Sequence, residues 1–282
     1  MKHTQHPMVA MLSALLLYLL SGAVVEAQEA DQETFSVGVI PQFDAQKIYE
    51  IWSPILKQLE KATGHHFRLQ GTPTISEFEK EFNAGRFDFA YMNPYNLLLA
   101  NREQGYIPLV RDVEKQLHGI LVVKKENPMN SPAALNGKKV SFPAPNALGA
   151  SLMVRADLHD IFNVDIEPHY VRTHSSVFLN VVLGLTIAGG GVQKTLNQQP
   201  AAIRNQLKVI YRTRDVAPHP FAAHPRVPQK IIAQVKNALL EMGRTEHGKT
   251  MLNKVPVYSI GPGSIADYTP LNKIGLERFY KE

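Results

Sequence analysis

Hydrophobic and polar residues alternate along this chain in blocks that switch between two periods. Residues 35–40 form a short β-rich run that stops at Pro41 and reads as a strand. Residues 44–63 follow with Ile48, Ile51, Trp52, Ile55, Leu56 and Leu59 on one face, the 3.6-residue period of an amphipathic helix. Pro54 interrupts that pattern, so the helix either kinks there or restarts with Ser53 as cap and Pro54 at its first position. Gly64 is placed to close it. The same rhythm repeats. A strand at 67–70 precedes a helix at 76–84, for which Ser76 and Glu79 form a capping box. A strand at 87–91 then runs through Asn93 and Pro94 into a helix at 95–104.

Further strands are predicted at 107–111, 118–124, 139–142, 168–171, 186–188 and 209–212. Further helices are predicted at 147–162, 177–183, 228–243 and 245–252. Strands joined to helices by short turns predict parallel, helix-covered sheets. The expected class is α/β. A doubly wound sheet of this kind offers its ligand site at the carboxyl ends of the strands.

One block breaks the rhythm. Lys2 and polar neighbours precede an apolar run at 8–20, and Val25 and Ala27 are small residues at a plausible cleavage position. Residues 1–27 therefore read as a cleaved secretory signal peptide, with an uncleaved anchor as the alternative.

Composition narrows the chemistry. The 282 residues are 44% hydrophobic and 20% charged, an ordinary globular balance. There is no cysteine, which excludes disulfides, thiol nucleophiles, iron–sulfur clusters and Cys-ligated zinc. The net charge of +5 is scattered, and no basic stripe is interleaved with aromatics, so no nucleic-acid partner is expected. His219 and His224 lack a carboxylate cluster, so no metal is expected. The 189–195 stretch fails as a phosphate loop because Gln193, not glycine, precedes Lys194. No nucleophile elbow is present, so neither an enzyme nor a cofactor is expected.

The order of local motifs carries a resemblance. It comprises Trp52-x-Pro54, Ala62-Thr63-Gly64, Phe87-Asp88-Phe89-Ala90-Tyr91-x-Asn93-Pro94, Leu135-x-Gly137-Lys138-x-Val140-x-Phe142, Thr173-His174-Ser175-Ser176-Val177, Gly184 and Leu207-x-Val209-Ile210. Together they resemble the phosphate/phosphite/phosphonate-binding proteins of ABC transporters and span nearly all of the chain after the leader. The resemblance implies a two-lobed type II periplasmic binding protein fold, each lobe a mostly parallel sheet flanked by helices. Lobe one would comprise 35–116 plus 214–282, and lobe two 117–213. A hinge motion would close the lobes on ligand.

Three strand-to-helix turns are candidate ligand contacts. Tyr91, Asn93 and Tyr95 belong to the first; capping and aromatic packing explain them equally well. The second holds Asn146, Ala147, Leu148 and Gly149. Here the resemblance implies a hydroxyl-rich Ser-Thr-Ser-Gly turn that grips phosphonate oxygens, but this chain keeps only the backbone amides and an apolar rim. The third holds His174 and Ser175, with His174 at the position of a ligand-binding His in the family. Two family acids that hold a ligand's amino group fall at Lys194 and His219. A small anionic solute without an amino group is thus the expected ligand.

The expected partner is an ABC permease. The alternative is a membrane sensor, such as a histidine kinase or cyclase. A monomer in the periplasm is expected. Amino-terminal sequencing of the exported protein should begin near Gln28. A start before Ala23 would show that the leader is retained.

Overall fold

The computed structural model describes residues 33–281; the leader reading at 1–27 lies outside them. Two sheets organise the chain. The first has strand order β11-β4-β10-β3-β1-β2, from β1 (Thr34–Val39), β2 (His66–Gln70), β3 (Phe89–Tyr91), β4 (Ile107–Asp112), β10 (Phe221–Ala223) and β11 (Ile260–Pro262). The second has order β7-β6-β8-β5-β9, from β5 (Gly119–Lys124), β6 (Lys139–Phe142), β7 (Glu167–Tyr170), β8 (Ala188–Val192) and β9 (Leu207–Arg212).

Strand direction follows one rule in both. β1 pairs in parallel with β2 and β3, and β10 is inserted antiparallel between β3 and β4, so β1 to β4 all point one way. In the second sheet β5 is inserted antiparallel between β8 and β9, so β6 to β9 share a direction. β11 is also reversed, at the edge beside β4, while β10 and β5 are the strands that the chain enters just after passing between the sheets. Leu117 and Val216, on the two passages, pair with each other.

The first helix, α1 (Ala45–Thr63), runs unbroken through Pro54, which settles the two readings of that proline. Proline removes one hydrogen bond, to the carbonyl of the exposed Glu50, where water can replace it. Asp44 caps the start, and Gly64 closes the end at φ 75°. Helix α2 (Ile75–Asn83) starts two residues before the predicted box. Thr74, not Ser76, is its cap, and its hydroxyl donates to Glu77 at 2.8 Å. Thr-x-x-Glu and Ser-x-x-Glu overlap here. Burial of Ile75, Phe78 and Phe82 selects the frame, and that frame turns Glu79 inward.

Helix α3 (Pro94–Gln104) is capped by Asn93. Helix α4 (Val154–Asp160) is entered through a π-helical stretch, Leu148–Met153. Then come α5 (His174–Val182), α6 (Gln193–Asn197), α7 (Ala201–Arg204), α8 (Gln229–Met242) and α9 (Glu246–Lys254).

The three glycines predicted beyond a strand at 186–188 instead form the body of β8. Their role is close approach on both faces. A Cβ on Gly190 would lie 2.1 Å from the Ala150 carbonyl of the π stretch, and one on Gly189 or Gly191 would strike Val177 or Phe178 of α5. Gly119 on β5 likewise faces the Gly149 carbonyl. Gly190→Ala should therefore destabilise the fold by about 1–3 kcal/mol through overpacking. Gly71→Ala, with open space around it, should stay within about 0.5 kcal/mol. Denaturant midpoints of the two variants check this.

Candidate functional site

The common strand direction brings one set of loop residues to the facing edges of the two sheets. β1 leads into Gln42, β3 ends in Tyr91, β4 ends in Asp112, and His219 stands just before β10. From the second sheet, β8 leads into Lys194 and Thr195 at the start of α6. These six residues form the polar wall of a cavity of about 30 Å³, closed on its apolar side by Leu117, Val192 and Val257. That space holds about two waters, or the polar end of a small solute.

Asp112 anchors the wall. It is 1% exposed and accepts the backbone N–H groups of Glu114, Lys115 and Tyr258 at 2.9, 3.2 and 3.1 Å. Its second oxygen lies 3.5 Å from the Lys194 ammonium, which also donates to the Pro256 carbonyl at 2.7 Å. Burial pushes the Lys194 pKa down, while Asp112 pulls it back up. One of the three ammonium hydrogens is left without a carbonyl or carboxylate to meet.

His219 stacks on Tyr91 with ring centres 5.5 Å apart. Its Nε2 lies 2.7 Å from the Gln42 side-chain nitrogen. Burial, then the charges of Lys194 and His174, pushes its pKa down to about 3, so the ring is neutral. A neutral ring that accepts from Gln42 through Nε2 carries its hydrogen on Nδ1. The Tyr91 hydroxyl makes no hydrogen bond among the described residues, and burial raises its pKa.

His174 is 5% exposed and stands behind Thr195, with Nδ1 3.4 Å from the Thr195 hydroxyl, which itself donates to the Val192 carbonyl. Burial lowers its pKa to about 4. Ser175 is exposed and does not line the cavity.

The other candidates gather in a second, buried polar network. Asn93 accepts from the Asn96 backbone at 2.8 Å, and the two side chains also bond. Glu79 accepts from Asn96 at 2.9 Å and from Asn146 at 2.8 Å. Asn93 donates to the Asn146 carbonyl at 3.3 Å, linking the first sheet's helices to the second's. Burial raises the Glu79 pKa against the pull of these amides. Tyr95 packs on Tyr280 with ring centres 5.7 Å apart.

Ala147, Leu148 and Gly149 are buried at the start of the π stretch. The N–H groups of Leu148, Gly149 and Ala150 have no acceptor among the described residues. The Val192 side chain links the two regions, because it lines the cavity and lies against Gly149. Among the described residues no group of three or more His, Asp or Glu could hold a metal ion, and no helix is long and apolar enough to cross a membrane.

Of the sequence candidates, then, Tyr91 and His219 meet at the cavity with His174 one layer behind, while Asn93, Tyr95 and Asn146 do not. Gln42, Asp112 and Thr195 were missed. The rule of strand carboxyl ends would have found the first two, since β1 and β4 end beside them.

A fold of two α/β lobes with a cavity where facing strand ends meet defines the type II periplasmic binding proteins. Residues 37–268 match the family model described as ABC transporter, phosphonate, periplasmic substrate-binding protein. The chain belongs to that family, whose members are substrate-binding transport proteins and not enzymes. It is 22% identical over 230 residues to the phosphate-import protein PhnD of Mycolicibacterium smegmatis, covering 74% of this chain and 71% of that one.

Two solved structures share the fold, each at 15% identity. One is PhnD1 from Prochlorococcus marinus in complex with methylphosphonate, with TM-score 0.79 over 88% of this chain and 99% of that one. The other is a binding-protein component of an ABC phosphonate transporter from Pseudomonas aeruginosa, with TM-score 0.76 over 88% of each chain.

The depressed histidine pKa values predict a pH effect on stability. Below the unfolded-state pKa of about 6.5 the unfolded chain takes up protons that the folded chain refuses. Stability from each histidine is therefore complete above that pH and is lost as pH falls toward about 4 for His174 and about 3 for His219. The slope is about 1.4 kcal/mol per pH unit per histidine. His174→Gln should flatten the fall between about pH 6 and 4 by one such increment. Denaturant unfolding at pH 7, 6, 5 and 4 measures it.

Proposed function

We propose that this protein captures a small oxyanion of the phosphate and phosphonate class that lacks an amino group, and delivers it to an ABC permease. The observation that carries the ligand reading is the wall around the cavity. Lys194, Thr195 and His219 stand there, and Asp112, the one carboxylate among the described residues that line the cavity, is already committed to backbone N–H groups and Lys194. An ammonium group on a ligand would meet the Lys194 charge with no free acid to offset it. The oxyanion end is served by the free N–H groups at the start of the Leu148–Met153 stretch, where the helix dipole favours negative charge. These amides stand in for the missing hydroxyls of the 147–149 turn. Methylphosphonate bound to the Prochlorococcus relative and phosphate import by the Mycolicibacterium relative support the same ligand class.

The lobes divide at the two paired passages, 35–116 with 214–282 against 117–213, and Leu117 and Val216 mark the hinge. Residues 1–27 direct export and are removed, which leaves a monomer in the periplasm.

Calorimetric titration with phosphate, methylphosphonate and aminoethylphosphonate tests the ligand reading. Phosphate or methylphosphonate should bind and, at 100 times Kd, add about 2.7 kcal/mol of stability. Aminoethylphosphonate should give no stabilisation at micromolar concentration. Lys194→Met should weaken binding about 10- to 150-fold, the loss of one charged hydrogen bond. Tighter binding of aminoethylphosphonate than of methylphosphonate would overturn the proposal.

A further inference from the structure

Residues 275–281 belong by packing to the first lobe, where Leu276 is fully buried in the core and Tyr280 rests on Tyr95. The Tyr280 side chain also bonds Glu79 of the first lobe, but the other polar contacts that leave the segment go to the second lobe. Arg278 makes a two-pronged ion pair with Asp160 on α4, at 2.6 and 3.2 Å. Arg155 on the same helix donates one guanidinium nitrogen to both the Pro145 and Phe279 carbonyls, each at 2.7 Å. Asn146 and Lys281 pair like neighbouring strand residues. The Lys281 N–H donates to the Asn146 side-chain oxygen at 2.9 Å, and the Asn146 amide donates back to the Lys281 carbonyl at 2.6 Å.

The second donor of Asn146 goes to Glu79. Both hydrogens of that amide and its carbonyl are thus spent on the first lobe, with no donor left over for a ligand. This set of contacts lies apart from the Leu117–Val216 pairing and from the Lys194 contacts with Asp112 and Pro256, and so joins the lobes at a separate place.

We propose that residues 275–281 form a strap that holds the two lobes together across the cleft, with Arg278, Arg155 and Asn146 as positioning residues that set how readily the cleft opens. None of the three lines the cavity. Opening the lobes about the paired passages requires these bonds to break together. The strap's own bonds, to Asp160, Arg155 and Asn146, all reach residues of 117–213; the Asn146–Glu79 bond also crosses between the lobes, and the Arg155–Pro145 contact lies within 117–213.

The absence of cysteine allows a direct test on the full exported chain without ligand. Tyr49→Cys on α1 and Leu183→Cys after α5, at sites 63% and 61% exposed, carry a pair of spin labels that report the distance between lobes. The labelled parent should give a narrow distribution. Arg278→Ala should add a longer-distance component severalfold above the parent, and a chain ending after Glu277 should enlarge it further. The exchange Asp160→Arg with Arg278→Asp should return the narrow distribution, which simple loss of stability would not do.

An unchanged distribution in Arg278→Ala and in the shortened chain overturns the strap. If the shortened chain does not fold, Arg278→Ala against the charge exchange decides alone. Because no ligand is added, the result stands whichever solute the cavity takes.

Discussion

A buried carboxylate without partners is too costly to keep in a fold, and Asp112 shows what its partners must be. Four backbone N–H groups, those of Glu114, Lys115, Tyr258 and Ser259, and one ammonium surround it. The N–H groups come from the turn after β4 and from Tyr258 and Ser259 ahead of β11, so the end of the first sheet is shaped around this one side chain. The ammonium comes from Lys194 in the other lobe. A charge that organises a turn in one lobe therefore also fixes the position of a cation in the other. That cation faces the cavity with a donor to spare. Removing Asp112 would leave the half-buried Lys194 beside a single carbonyl and would disturb both lobes together.

The second constraint is steric. The π stretch at Leu148–Met153 lies so close to β5 and β8 that Gly119 and Gly190 have no room for a Cβ. This proximity places the free N–H groups of Leu148 to Ala150 deep in the second lobe beside Val192, which also bounds the cavity. Glycine in a strand normally weakens it. Here the loss is offset by packing on both faces, against the π stretch on one side and α5 on the other.

Much of the arrangement was legible residue by residue. The face of α1, the caps Asn93 and Gly64, and the strand-to-helix alternation all follow from local pattern, while the two-lobed fold came from the family resemblance. The errors have local causes. Thr74 and Ser76 both begin a hydroxyl-x-x-Glu pattern, and only core packing of Phe78 and Phe82 decides which one caps. The misassignment hid Glu79, which looks like a capping acid and instead sits at the centre of the buried amide network. β10 and β11 are three residues each, too short for a period to show.

The sequence by itself determined the periods, the caps and the class of chain, because those depend on neighbours within a few residues. The family resemblance, in turn, drew attention to Lys194 and His219. Only the tertiary structure decided which side chains meet. Tyr91 and His219 are 128 residues apart in sequence and stacked in space. Asn146 reads as a ligand contact by its turn, yet its amide is consumed by Glu79 and by Lys281, 67 and 135 residues away. Long-range pairing of this kind is set by strand order and burial, and no local pattern encodes the partner of a polar side chain once it leaves its own turn.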